Sequence, residues 1–107
     1  MIFNILYSFR ARQDLRDIYE YIAYELLEPG IAAGQVNRIM KAVRSLEQMP
    51  MRCRCYKGEP WCKMGLRFLP VDNYLIFYLP DEVYNLVNVI RIMYAGRDVT
   101  KQLNEIL

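Results

Sequence analysis

Three arginines and one tyrosine in the second half of the chain are the side chains best suited to chemistry. Arg67 lies in one strand-like run, while Arg91, Tyr94 and Arg97 lie close together in a later one. A guanidinium binds phosphate or carboxylate through two parallel hydrogen bonds, and a phenol exchanges a proton more readily when nearby cations lower its pKa. These four residues are the candidate catalytic residues.

Strand alternation decides whether the arginines share one surface. Successive side chains of a strand point to opposite faces, so Arg67 and Arg91 are predicted to face away from their apolar neighbours. If the apolar face packs on helices, both arginines rise from an open face of the sheet. The alternative is a structural ion pair of Arg91 with Asp98 or Asp72. The neighbours assigned to the helix-packed face are Leu66, Phe68, Ile90, Ile92 and Tyr94.

Positive charge is concentrated in the middle of the chain. The net charge is +2, but residues 31–67 carry eight Lys and Arg against two Glu, a local excess of +6. Such an excess attracts a polyanion or an acidic protein, and the alternative is a solvated helix face followed by a basic loop. The candidate target-binding residues of this loop are Arg52, Arg54, Lys57 and Lys63.

Imidazole and metal chemistry are disfavoured by composition. The chain has no His, and its three cysteines, Cys53, Cys55 and Cys62, lie within ten residues. An odd number of cysteines argues against a disulfide framework, and a zinc site would need a fourth ligand, for which only Glu59 lies nearby. We therefore expect reduced thiols, no metal and no cofactor.

Hydrophobic periodicity predicts two helices before the strands. Ala11, Leu15, Ile18, Ile22 and Leu26 form one helical stripe, which leaves Asp14 off the apolar side. A second stripe runs from Ala32 to Leu46, after a break at Pro29-Gly30 and before Pro50.

The order of elements predicts an α+β fold. A first strand over 2–7 and the two helices precede a loop over 51–63 and strands over 65–71, 74–79 and 87–94, and Asp98 caps a short last helix. The run 74–79 is apolar throughout, which is typical of a central strand covered on both faces. We expect a β-α-α-β-β-β antiparallel sheet with the helical hairpin on one face and a short C-terminal helix.

Length and composition limit the function classes. A chain of 107 residues with 54% hydrophobic and 13% aromatic residues is expected to fold as a single domain over 1–107. No run of about 20 apolar residues occurs, and no basic segment precedes the apolar N-terminus. We therefore expect a cytoplasmic protein without membrane contact.

Four segments carry a family resemblance. They are residues 11–23 (ARQDLRDIYEYIA), 45–50 (SLEQMP), 67–78 (RFLPVDNYLIFY) and 89–98 (VIRIMYAGRD). Each is a weak motif, but in this order and spacing the chain resembles the RelE/ParE superfamily of small toxins from type II toxin–antitoxin modules, often called plasmid stabilisation proteins. The resemblance covers nearly the whole chain. It implies a toxin that arrests growth and is neutralised by an acidic, partly disordered antitoxin, and it allows a homodimer or a heterotetramer with that antitoxin.

The resemblance leaves the target open between DNA gyrase and translation. ParE-like members poison DNA gyrase and carry no known catalytic residues, whereas RelE-like members cleave mRNA in the ribosome. A ribosome-dependent endoribonuclease would use Arg67, Arg91, Arg97 and Tyr94. Two departures favour the ParE-like branch, because Leu75 follows Tyr74 where RelE-type nucleases place an arginine, and the chain lacks a terminal His or Tyr. A non-toxic basic binding module, or a decayed toxin, is the third alternative.

Overall fold

A computed structural model describes residues 2–96 and 98–105. The strands are β1 (Asn4–Tyr7), β2 (Arg67–Val71), β3 (Tyr74–Asp81) and β4 (Leu86–Tyr94). The helices are α1 (Phe9–Glu20), α2 (Pro29–Ser45), α3 (Trp61–Met64) and α4 (Val99–Asn104). A π-helical turn (Tyr21–Glu25) follows α1, and a short 3₁₀ turn (Pro50–Arg52) follows α2. Within the described ranges, no helix is long and apolar enough to cross a membrane.

The four strands form a mixed sheet rather than a wholly antiparallel one. The strand order is β1-β4-β3-β2, and the meander β2-β3-β4 is antiparallel as predicted. β1 instead pairs in parallel with β4, from Asn4 opposite Leu86 to Tyr7 opposite Val89. The α1–α2 hairpin leads from β1 to β2 at the opposite edge of the sheet, and the meander then returns so that β4 lies beside β1.

The helical hairpin covers one face of the sheet, as expected. Its second helix follows the predicted stripe, because Ala32, Ile39, Val43 and Leu46 are all buried. Pro29 occupies the first turn of α2, where backbone N–H groups have no partner within the helix, so the N–H that proline lacks is not needed. The main core joins Ile39, Val43 and Leu46 to side chains of the sheet, which are Ile76, Tyr78, Val87, Val89 and Ile92.

The first helix ends differently from its prediction. The α-helical stripe is interrupted at Tyr21, where the backbone widens into the π-helical turn and accommodates one more residue per turn. Ile22 therefore stays buried while Leu26, predicted to lie on the same apolar stripe, is exposed. Leu27 ends the turn in the left-handed region, with φ 57°.

The opposite face of the sheet is not open. A second apolar cluster fills it, with Phe77 and Met93 of the sheet packed against Trp61 of α3 and Leu103 of α4. Two hydrogen bonds connect α4 to α3 and to the loop before it. Trp61 Nε1 donates to Asn104 Oδ1 at 3.3 Å, and the hydroxyls of Tyr56 and Thr100 are 2.5 Å apart. The expectation of a bare cationic face is therefore wrong. The partly buried members of this cluster are Tyr56, Phe68, Leu75, Leu79, Ile90 and Val99.

A bulge explains why strand alternation misassigned β4. Phe77 pairs with Arg91 and Tyr78 pairs with Val89, which leaves Ile90 as the extra residue on β4. Val89 and Ile92 consequently pack on the helix side although they are three residues apart, and Ile90 packs on the other side. A single extra residue reverses the face of every later side chain.

Candidate functional site

Arg91 is buried in an ion pair with α1. Its Nε donates to Asp14 Oδ2 at 2.8 Å and its Nη2 donates to Asp14 Oδ1 at 3.0 Å, and both side chains are less than a tenth exposed. The predicted location on an open face is thus wrong. Arg91 does form an internal ion pair, but with Asp14 instead of Asp98 or Asp72.

The same carboxylate completes the hydrogen bonding of an unpaired strand edge. β1 ends at Tyr7, so β4 has no strand neighbour on that side beyond Val89. Ser8 Oγ donates to the carbonyl of Ile90 at 2.8 Å, and Asp14 Oδ2 accepts from the N–H of Ile92 at 2.8 Å. Periodicity placed Asp14 away from the apolar stripe, and no sequence signal marked it as buried, because its partners lie almost eighty residues later.

Arg67 faces the helix side of the sheet and binds backbone. It lies opposite Tyr78, and its Nη1 donates to the carbonyls of Met51 at 3.0 Å and Cys53 at 2.5 Å. The face predicted for Arg67 is therefore reversed, since Leu66 and Phe68 pack in the second cluster instead of against the α1–α2 hairpin. The guanidinium holds the segment that follows the 3₁₀ turn.

Tyr78 holds the same segment from the neighbouring strand. Its buried hydroxyl donates to the carbonyl of Pro50 at 2.6 Å. Burial raises the pKa of this phenol far above its usual value, and the side chain of Cys53 raises it further, while Arg67 and Arg52 oppose the shift. Tyr78 is therefore a neutral hydrogen-bond donor at any physiological pH. No pattern in the sequence marked Tyr78 for this role.

Tyr94 lies apart from Arg67, and it is exposed whereas Arg91 is buried. It is exposed at the end of β4, opposite Tyr74, and the two rings meet edge to face with centroids 5.9 Å apart. Arg67 is opposite Tyr78 whereas Tyr94 is opposite Tyr74, a separation of four residues along β3 or about 14 Å. Arg97 lies outside the described residues. Among the other three candidate catalytic residues, the structure brings no two together around a common point.

The four candidate cations of the basic loop are all exposed, and one of them, Arg52, also binds backbone carbonyls. Arg52 Nη1 donates to the carbonyls of Gln48 at 2.8 Å and Met49 at 3.2 Å, so its charge lies at the carboxyl end of α2, where a cation is favourable. Arg54, Lys57 and Lys63 are exposed. Arg52 and Arg54 also border a shallow cavity of about 260 Å³ beside the edge strand β2, together with Cys53, Phe68 and Pro70.

The edge strand β2 is partly protected from pairing with another strand. The backbone of residues 54–56 bonds to its beginning, through Phe68 N–H to the Arg54 carbonyl and Tyr56 N–H to the Leu66 carbonyl. Pro70 lacks a donor further along the same edge. At the shallow cavity this edge therefore presents mainly side chains, chiefly the two arginines and the Phe68 ring.

The thiols form no site in the described part of the chain. Cys53 is half-buried while Cys55 and Cys62 are exposed, and all three are free. Residues 2–96 and 98–105 contain no group of three or more Cys, Asp or Glu side chains arranged to hold a metal ion.

Comparisons with solved structures agree with this architecture. The chain is similar to a chain of the chromosomal ParDE toxin–antitoxin system from P. aeruginosa, with a TM-score of 0.74 and 19% identity over 89% of this chain and 98% of that one. It is also similar to a mutant of the E. coli toxin RelE in the free state, with a TM-score of 0.68 and 14% identity over 100% of both chains. A third similar chain belongs to the RelBE2 toxin–antitoxin complex of Mycobacterium tuberculosis, with a TM-score of 0.62 and 19% identity over 88% of this chain and 99% of that one.

The sequence comparison identifies the family. No curated protein matches the sequence closely. The family described as the ParE toxin of the parDE type II toxin–antitoxin system matches residues 5–99, which is most of the chain and includes the four strands except for the first residue of β1. The chain therefore belongs to the ParE toxin family of type II toxin–antitoxin systems.

Proposed function

We propose that this toxin arrests growth by binding DNA gyrase, and that it does not cleave mRNA. The observation that carries the proposal is the buried pair of Arg91 and Asp14. RNA cleavage requires cations at a crowded phosphate and groups that transfer protons to and from the ribose and leaving oxygens. The Nε and Nη2 donors of Arg91 already bind both oxygens of a carboxylate, so they are not available to bind a phosphate.

The surroundings of the other candidate residues support the same proposal. Arg67 is occupied by two backbone carbonyls, and Tyr94 is about 14 Å further along the sheet. The sheet face on which a nuclease site was expected is filled by Phe77, Met93 and the coverings from α3 and α4. A toxin that acts by binding a protein needs exposed surface instead of an assembled catalytic centre, and the ParE family resemblance implies such an action on gyrase.

We also propose that a cognate antitoxin neutralises this toxin by binding to the toxin's basic loop. The ParDE and RelBE2 proteins named above belong to toxin–antitoxin pairs. Here Arg54, Lys57 and Lys63 are exposed, and Arg54 borders the shallow cavity lined by Phe68 and Pro70. An acidic segment with aromatic or aliphatic anchors would be attracted by the charges and retained by the apolar lining. Charge attraction predicts an association rate that falls as salt rises.

The gyrase proposal is tested by the order of events after induction. New DNA and new protein are pulse-labelled in parallel, and the purified toxin is added to gyrase in a supercoiling assay. We expect DNA synthesis to stop first, with an SOS response, and we expect inhibition of supercoiling in vitro. Early arrest of translation with mRNA cleavage at the ribosome would contradict the proposal, and normal growth would instead favour a decayed toxin.

A matched pair of variants separates binding from catalysis. Tyr94→Phe removes only the hydroxyl of an exposed side chain, so we expect full toxicity and unchanged inhibition of gyrase. The triple variant Arg54→Glu, Lys57→Glu and Lys63→Glu reverses the exposed basic charge and is expected to remain folded but to bind the antitoxin about a hundredfold more weakly. Loss of toxicity in Tyr94→Phe without loss of stability would indicate a catalytic phenol. Unchanged antitoxin affinity in the triple variant would refute the basic loop as its binding surface.

A further inference from the structure

The tip of the helical hairpin presents an apolar surface that the fold does not use. The hairpin tip comprises residues 20–31, from the end of α1 through the π-helical turn into the start of α2. Every residue from Tyr24 to Ile31 is exposed, and Leu27 is 78% exposed. Five large apolar side chains of the tip are each more than half exposed: Tyr21, Tyr24, Leu26, Leu27 and Ile31.

Backbone geometry holds these side chains outward. The π-helical turn closes with Leu26 N–H bonded to the Tyr21 carbonyl, and Glu28 N–H bonds to the Ile22 carbonyl. Leu27 adopts a left-handed conformation, which disfavours a branched side chain by about 1 kcal/mol. Ile22, Ala23 and Ala32 are buried beneath the tip and anchor it to the rest of the hairpin. The apolar surface is therefore built into an ordered backbone.

The charged residues within the sequence of this surface all have one sign. Between residues 17 and 37 the chain contains Asp17, Glu20, Glu25 and Glu28 and no Lys or Arg. All four carboxylates are exposed. The tip thus differs from the basic loop over 52–63, which carries the opposite charge. Its acidic rim repels nucleic acid, anionic lipid and acidic protein segments.

We propose that the hairpin tip binds a basic amphipathic helix of a partner protein. Apolar side chains on one face of that helix would pack against Tyr24, Leu27 and Ile31, while its flanking Lys and Arg pair with Glu25 and Glu28. The tip is helical and offers no strand edge, so its partner makes contact through side chains and not through strand addition. Since the basic loop suits an acidic segment, the two surfaces serve partners of opposite charge. This inference does not depend on gyrase being the target.

The proposal is tested with two designed peptides and the purified full chain. One is an amphipathic helix of Leu and Lys, and the other has the same pattern with Glu in place of Lys. Binding is followed by amide chemical shifts of the isotopically labelled protein. We expect the Leu/Lys peptide to bind at least about tenfold more tightly than the Leu/Glu peptide, with shift changes confined to residues 20–31. Equal binding of both peptides, changes centred on the basic loop, or no binding at about millimolar peptide would each overturn the proposal.

Variants of the tip distinguish apolar from ionic contributions. The double variant Tyr24→Gln with Leu27→Asn removes two apolar anchors and places at position 27 an asparagine, which tolerates the left-handed conformation. It is expected to weaken binding about tenfold. Glu25→Lys with Glu28→Lys is expected to reverse the preference between the peptides. The matched control is Val83→Ser with Tyr84→Ser, which alters another exposed apolar pair at the β3–β4 turn and should leave binding unchanged. A loss of binding in the control as large as in the tip variant would refute a specific site.

Discussion

Replacing Asp14 should cause a large loss of stability. Asp14→Ala leaves the Arg91 guanidinium buried without its partner and removes the acceptor of the Ile92 N–H. Removing one member of a buried ion pair costs about 3–5 kcal/mol, and an unpaired buried N–H adds about 1–3 kcal/mol. Partial relaxation and entry of water reduce the sum, so we expect a decrease of about 4 kcal/mol in the free energy of unfolding. For a chain of this size that corresponds to a fall in Tm of roughly 15 °C or more.

A double-mutant cycle shows whether this loss comes from the ion pair. Asp14→Leu and Arg91→Met each leave one charge buried alone, whereas the double variant replaces the pair by apolar side chains. We expect the double variant to be more stable than either single variant by at least about 2 kcal/mol, because two well-packed apolar groups can replace a buried pair at little cost. The exposed pair of Arg38 and Asp72 provides the control. Arg38→Ala should cost at most about 1 kcal/mol.

The assay is urea unfolding followed by circular dichroism and by fluorescence. Trp61 is the single tryptophan and is buried, so its emission reports loss of the second apolar cluster. Coincident transitions for both signals are required before the free energies are compared. A loss below about 1 kcal/mol in Asp14→Ala, or additive losses in the double variant, would show that Asp14 does not hold the Arg91 guanidinium inside the fold.

Three other changes have definite expected outcomes. The hydrogen bond from Arg38 holds the pKa of Asp72 below its usual value of 3.8. The stability that ionised Asp72 contributes is therefore complete above pH 3.8 and is lost as the pH falls through the lower pKa of the folded state. Asp72→Asn should flatten the dependence of the urea midpoint on pH below about pH 4. Tyr78→Phe leaves the Pro50 carbonyl without its donor and should lower the free energy of unfolding by about 1–2 kcal/mol, as measured by urea unfolding. Leu27→Gly removes the strain of the left-handed conformation, so it should raise the thermal midpoint slightly and weaken binding of the Leu/Lys peptide. A lower midpoint would show that Leu27 is not strained.

The helix-packed half of the fold follows from local patterns in the sequence. The stripe from Ala32 to Leu46 has helical spacing over its whole length, and Pro29 and Pro50 flank it with conformations that the proline ring imposes. The Asp72-Asn73 turn was predictable for a similar reason, because Asp tolerates positive φ, and Asp72 has φ 54°. Information confined to a few neighbouring residues was sufficient for these elements.

The sheet faces could not be assigned from such patterns. The uninterrupted apolar run of β3 correctly indicated burial on both faces, and Ile76 and Phe77 indeed pack in opposite clusters. Placing Arg67 and Arg91 on an open face contradicted that indication. For Arg91 this placement required regular alternation along β4, which the bulge at Ile90 breaks, and a bulge is determined by tertiary pairing. The burial of Asp14 was equally inaccessible, because it depends on where β1 ends beside β4.

The unusual features of the hairpin tip together argue for a role in binding. A π-helical turn, a left-handed leucine and a row of exposed apolar side chains each lower stability or solubility, and all occur within residues 20–31. Of the other non-glycine residues with positive φ, Asp72 and Asn85 lie in turns and are of types that tolerate it, and Met49 directly precedes Pro50. A glycine at position 27 would relieve the strain at no cost in packing, since the leucine is 78% exposed. That the chain instead has leucine there is readily explained if the side chain contacts a partner, and for this reason Leu27→Gly is expected to gain stability and lose binding together.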